Sequence, residues 1–167
     1  SLVANFAFEQ YTQAITFPAI PPQLTTDTFV LSASASSGLP VSFAVGSGPG
    51  TISGSTNLSF TGAGTVSVVA SQAGSTDWSA AADVTNTFTV GKSPQALVVF
   101  TPASPQTYKT IKALAVSGGS GTGAVRYAVQ SGAGRIVGMT NLLVNSGTGS
   151  VTVVATKAAD ALYNAAS

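Results

Sequence analysis

Chemistry on a polypeptide is limited first by the side chains it carries, and this 167-residue chain has neither histidine nor cysteine. Serine–histidine and cysteine–histidine nucleophile pairs therefore cannot be assembled, and a metal site would need carboxylates. Glu9, Asp27, Asp77, Asp83 and Asp160 are the whole supply. Asp77 and Asp83 share one loop and could offer oxygen ligands to calcium, but neighbouring Ser75, Thr76 and Ser79 do not make a dense acidic set. Solvated loop carboxylates are the expectation. Glu9 and Asp27 fall on differently placed elements, which argues against the paired acid and base of a glycosidase. The glycine-rich runs GSGPG (46–50) and SGGSGTG (117–123) precede no helix with Lys-Ser/Thr, so they read as hairpin turns, not phosphate loops. No catalytic, cofactor-binding or metal residue is assigned, and the chain reads as a non-enzyme.

What remains is binding and assembly. Trp78 and Tyr163 occupy equivalent loop positions and are candidate ligand-loop residues, as sugar-stacking platforms or as plugs for the end of a sandwich; the plug is the expected role. Arg126 and Arg135, standing where the first half has Ser42 and Thr51, make only a modest basic spot. A Lys–Asn isopeptide within the first half is disfavoured because no lysine precedes Lys92. Asn57-Leu58-Ser59 fits an N-glycosylation acceptor, relevant only in a pathway that reads it. Charged residues are 7% of the chain and the net charge is +1, which leaves no footprint for nucleic acid or an anionic membrane. No apolar run approaches the roughly 18 residues of a membrane span.

The elements that must position these residues are set by an internal repeat. Val41–Phe60 and Val125–Val144 are identical at 11 of 20 positions without a gap, where chance would give roughly one or two. Each half reads as short alternating strands separated by turn residues, about seven in some eighty residues, with no 3.6-residue periodicity sustained over three turns. Phe29, Leu31, Ala33 and Ala35 form one inward face; Val41, Phe43 and Val45 another; Val66, Val68 and Ala70, then Phe88 and Val90, complete the first core. The second half follows with Leu114 and Val116; Val125, Tyr127 and Val129; Ile136; Leu142 and Val144; and Val151, Val153 and Ala155.

The fold class predicted is all-β: two tandem antiparallel sandwiches of immunoglobulin-like strand count. Repeat 1 spans 12–91, a short linker 92–94, and an incomplete repeat 2 spans 95–167. Residues 1–11 stand apart. There, SLVANFAFEQ puts Leu2, Ala4, Phe6 and Phe8 on one face, and lining it up with Ala82–Phe100 sets Phe6 on Phe88, Phe8 on Val90 and Gln13 on Gln95. It reads as a closing strand that belongs to a preceding or neighbouring repeat, whereas repeat 2 ends where its own closing strand would begin.

The paired stretches SGLPVSFAV…TVSVVASQAGSTDWSAA and GGSGTGAVRYAV…SVTVVATKAADALYNAA resemble bacterial immunoglobulin-like repeats found in tandem in large secreted and cell-surface proteins. That resemblance implies a structural role in an extracellular stalk or filament, with an adhesin or carbohydrate-binding module as the alternative, and a secreted or cell-surface location. Its motifs specify no active site. The partners it implies are adjacent repeats or other copies, head to tail, and in the alternative glycans. Leu2, Ala4, Phe6 and Phe8 are then the strand-donor interface, either completing a neighbouring molecule's repeat 2 or continuing a longer covalent array; the sequence leaves both open.

Overall fold

The protein's computed structural model describes residues 9–96 and 98–167; the donor-face residues Leu2, Ala4, Phe6 and Phe8 lie outside them. The described residues form strands and no helix, so the chain is all-β as its composition predicts. No helix is long and apolar enough to cross a membrane among them. The chain divides into two compact units, Ser1–Gly91 and Lys92–Ser167.

Unit 1 contains β1 (Ile15–Thr16), β2 (Gln23–Leu24), β3 (Thr28–Val30), β4 (Ser34–Ala35), β5 (Ser42–Ser47), β6 (Gly50–Ser53), β7 (Asn57–Phe60), β8 (Gly64–Ser71) and β9 (Val84–Gly91). One sheet runs β2-β9-β8-β5 and a second β3-β7-β6, with β1 and β4 paired separately. All ladders are antiparallel except that of β2 with β9, where Gln23 faces Val90 and Leu24 faces Gly91. Strand alternation sorts the faces: Val66, Val68 and Ala70 of β8 are 0% exposed, and Thr85, Thr87 and Thr89 of β9 face outward. Phe88 and Val90 then point in, with Phe88 against Phe60 at 6.0 Å between ring centroids.

Unit 2 contains β10 (Val98–Val99), β11 (Ile111–Ala113), β12 (Ser117–Gly118), β13 (Val125–Ser131), β14 (Gly134–Val137), β15 (Asn141–Val144) and β16 (Thr152–Lys157). Its sheets are β13-β16, β11-β15-β14 and β10-β12, the counterparts of β5-β8, β3-β7-β6 and β1-β4. The likeness extends to irregularities. The ladder slips between Val45 and Ser47 in unit 1 and between Val129 and Ser131 in unit 2. The following hairpin turns through Gly48 at φ +89° and Gly132 at φ +90°, where an added Cβ would lie 2.1 Å from the Thr65 carbonyl and 2.0 Å from that of Ser150. Only glycine allows so close an approach, so the repeated glycine is a packing requirement.

Leu58 of β7 is 0% exposed within the unit 1 core. Leu58→Ala is expected to destabilise unit 1 by about 2–5 kcal/mol and to leave the unfolding transition of unit 2 in place. Urea denaturation followed separately through Trp78 and the unit 2 tyrosines measures this; a loss as small as that of Val30→Ala, at a position 66% exposed, would contradict the assigned core.

Candidate functional site

Three places bear on function: the loop ends holding Trp78 and Tyr163, the scattered carboxylates, and a groove in unit 2. The two loops are built alike. Tyr11 pairs with Trp78 and Ser93 with Tyr163 in parallel bridges. In unit 1 the Tyr11 amide donates to the Asp77 carbonyl (2.8 Å) and the Ser79 amide to the Tyr11 carbonyl (2.9 Å). In unit 2 the Ser93 amide donates to the Leu162 carbonyl (2.8 Å) and the Asn164 amide to the Ser93 carbonyl (2.9 Å). Both aromatic side chains are half-buried. The Trp78 ring lies 5.4 Å from that of Tyr11, which is 69% exposed, so unit 1 presents an aromatic pair at its surface. Ser93 gives unit 2 no such pair.

A polar cap holds each loop. Ser75 Oγ accepts from the amides of Asp77 and Trp78, both at 3.2 Å. Asp160 holds the same place in unit 2 and gathers more: the amides of Thr122 (2.6 Å), Tyr163 (2.8 Å) and Leu162 (2.9 Å) all donate to its carboxylate. These backbone donors, Thr122 foremost, favour the charged form and lower its pKa to about 2. The spacing Ser75-x-x-Trp78 and Asp160-x-x-Tyr163 was the available sequence signal, a side-chain oxygen capping the amides two and three residues on.

The other carboxylates are dispersed. Asp77, Asp83 and Glu9 are exposed, and Asp27 accepts from the Leu24 amide at 2.8 Å within its own turn. Among the described residues no three His, Cys, Asp or Glu side chains gather to hold a metal. Arg126, Arg135 and Asn57 are exposed on their strands.

The third feature is a groove of about 400 Å³, lined by Pro102–Gln106, Leu142, Val144, the 146–150 loop, Val151 and Val153. Its meaning comes from unit 1. By the repeat, Leu142, Val144, Val151 and Val153 answer to Leu58, Phe60, Val66 and Val68, the surface that Phe88 and Val90 of β9 pack against. Pro105 and Gln106 answer to Pro22 and Gln23, at the strand that flanks β9 on its other side. Among the described residues β16 is flanked on this side by the antiparallel bridge of Ala166 with Lys157, and Val151 and Val153 are half-buried where Val66 and Val68 are 0% exposed. Sequence reasoning placed the apolar side of this groove and missed the Pro102–Gln106 wall; the shared Pro-Gln pair was the signal.

No protein family, curated protein or solved structure matches this chain.

The Asp160 cap has a testable sign. A folded pKa below the ordinary carboxylate value gives stability that is complete above about pH 4 and lost as the pH falls toward about 2. Asp160→Asn is expected to lower the melting temperature of unit 2 at neutral pH and to flatten its acid dependence in that window. Thermal melts of both proteins from pH 7 to pH 2 check it; parallel curves would remove the cap from the account.

Proposed function

We propose that the chain is a non-enzymatic structural segment of an extracellular stalk or filament, made of immunoglobulin-like repeats that bear tension along the chain. The observation that carries this is the parallel pairing at the entry and exit of unit 1. Chain entering at Tyr11 bonds alongside Trp78, and β2 lies parallel to β9, whose last residue Gly91 accepts from the Thr25 amide at 2.9 Å. Force applied from one end of unit 1 to the other loads such pairs in shear, so their hydrogen bonds must fail together, whereas an antiparallel hairpin pulled at its open end unzips one bond at a time.

The connection supports the same role. Gly91 is bonded within unit 1 and Ser93 within unit 2, so only Lys92 separates them. A link this short transmits load with little slack. The outer face of β8 and β9 carries Thr65, Ser67, Thr85, Thr87 and Thr89 with one apolar residue, Val69, and no charge, in keeping with a surface composition common in secreted wall and filament proteins.

A binding module is the second reading, favoured by one observation: Tyr11 and Trp78 form a surface aromatic pair on a loop rich in Ser and Thr, a geometry suited to stacking on a sugar face.

Two experiments separate these. Stretching the chain by its ends is expected to give two unfolding events, with unit 1 yielding at clearly higher force than unit 2, whose described residues carry only the Ser93–Tyr163 bridge of the parallel kind. A unit 1 that yields at no more force than unit 2 would contradict the tension-bearing role. On a glycan array the chain is expected to bind nothing specifically; specific binding lost in a folded Trp78→Ala variant would favour the second reading.

A further inference from the structure

We infer that the outer face of β11-β15-β14 in unit 2 is a docking surface for unit 1 of a second copy of this chain, entered by the Tyr11–Trp78 loop end. The inference does not depend on the tension-bearing role. It begins from charge. All six lysines and arginines lie in unit 2, against the single carboxylate of Asp160, whereas unit 1 has no basic residue and holds Glu9, Asp27, Asp77 and Asp83. The overall charge of +1 is therefore the balance of a basic unit and an acidic one. Asp160 gives the cations around it little relief, because both of its oxygens accept from backbone amides.

The face itself departs from its counterpart in unit 1. Leu142 and Val144 of β15 are buried, so alternation turns Asn141 and Leu143 outward. Register sets Ile111, Leu143 and Arg135 abreast across the three strands. The same row in unit 1 is Thr28, Ser59 and Thr51, with a 2.9 Å hydrogen bond between the Thr51 and Ser59 hydroxyls. A second outward row reads Ala113, Asn141 and Val137, where unit 1 has Val30, Asn57 and Ser53. Ile111 is 62% exposed, and the aliphatic strip is bordered by Arg135 on β14 and by exposed Lys109 and Lys112 at β11. An apolar centre inside a charged rim is the arrangement of a recognition surface, and these rim charges are all positive.

Unit 1 offers the complement. Tyr11, 69% exposed, pairs with Trp78 on a loop end where Asp77 is exposed next to Trp78, with exposed Glu9 and Asp83 close by in sequence. Aromatic side chains anchor interfaces, and an acidic rim steers toward a basic one. Unit 2 has no such loop end, since Ser93 stands in the place of Tyr11 and Asp160 is engaged by its own loop. Unit 1 in turn has no aliphatic row of this kind. Like units repel by charge and present no matching surfaces, so the pairing is heterologous, unit 1 of one molecule with unit 2 of another. One loop end on one three-stranded face is a small contact, below about 1,200 Å² in total, so its Kd is expected above about 1 μM.

The repeat itself supplies variants that keep the frame. Ile111→Thr/Leu143→Ser/Arg135→Thr gives the face the residues that unit 1 carries in the same row, and Tyr11→Ser/Asp77→Asn removes the exposed ring and a rim charge. Sedimentation of the unaltered chain is expected to show concentration-dependent assembly that weakens about tenfold or more between about 0.01 M and 0.15 M salt, as the Debye length shortens from about 30 Å to about 8 Å. Each variant alone should associate about tenfold more weakly or less. An equimolar mixture of the two should recover a dimer, since one retains the loop end and the other the face; recovery also shows that both are folded. Monomer at every concentration, assembly indifferent to both variants, or a mixture no stronger than its components would overturn the proposal. So would binding of polygalacturonate by a monomeric chain that the face variant abolishes, which would assign the surface to an acidic polysaccharide. The force difference between the units would stand in either case.

Discussion

A β-sandwich is stable only if both faces of its core are roofed and each inner strand is bonded on two sides, and in this chain that condition turns on one strand position. In unit 1 it is taken by β9, which brings Phe88 and Val90 over Val66 and Val68 and joins β2 to β8. Burying side chains of this size contributes about 1.5–3 kcal/mol each, and the ladder satisfies backbone groups that would otherwise need water. The rest of unit 1 depends on it: without β9, β2 loses the strand partner it has among the described residues and the two sheets share a smaller interface. The corresponding place in unit 2 borders the groove, where Ala166 pairs antiparallel with Lys157 of β16.

The difference is visible in the cores. Unit 1 buries a continuous cluster from Ile15 to Val90, whereas among the described residues of unit 2 Leu114, Leu142 and Val144 form the buried nucleus, with Tyr127, Val129, Val151 and Val153 partly covered around it. Local chemistry compensates in places. Asp160 draws three backbone amides where Ser75 draws two, tying the unit 2 loop more firmly to the strand that follows Gly121. Elsewhere unit 2 differs: Gln13 Nε2 donates to Gln72 and to the Ser79 carbonyl, whereas its counterpart Gln95 Nε2 is buried with no partner among the described residues, and Lys157, standing where unit 1 has Gln72, donates to the Gly123 carbonyl.

Much of this was legible in the sequence. Alternation identified the inward faces of β5, β8 and β9, because a period of two admits only one assignment once a side is apolar. The Val41 to Val144 repeat carried the two-fold frame, including the glycines at 48 and 132. The short strands β2 and β12 were harder, since two residues leave no periodicity to read and their pairing is set by neighbours distant in sequence. The parallel course of β2 beside β9 is of this kind: Gln23 and Leu24 signal a strand end, and only the folded chain brings them beside Val90 and Gly91. Trp78 and Tyr163 were found as equivalent positions, but the exposed Tyr11 ring beside Trp78 depends on a bridge spanning most of the unit.

The central claim is that β9 is the strand on which unit 1 depends. Amide hydrogen exchange on the intact chain tests it most directly. The account predicts that amides of Val66 to Ala70 in β8 are among the slowest of unit 1, and that Phe88→Ala releases them together with the Thr25 amide bonded to Gly91. Protection of β8 that Phe88→Ala leaves unchanged would contradict it.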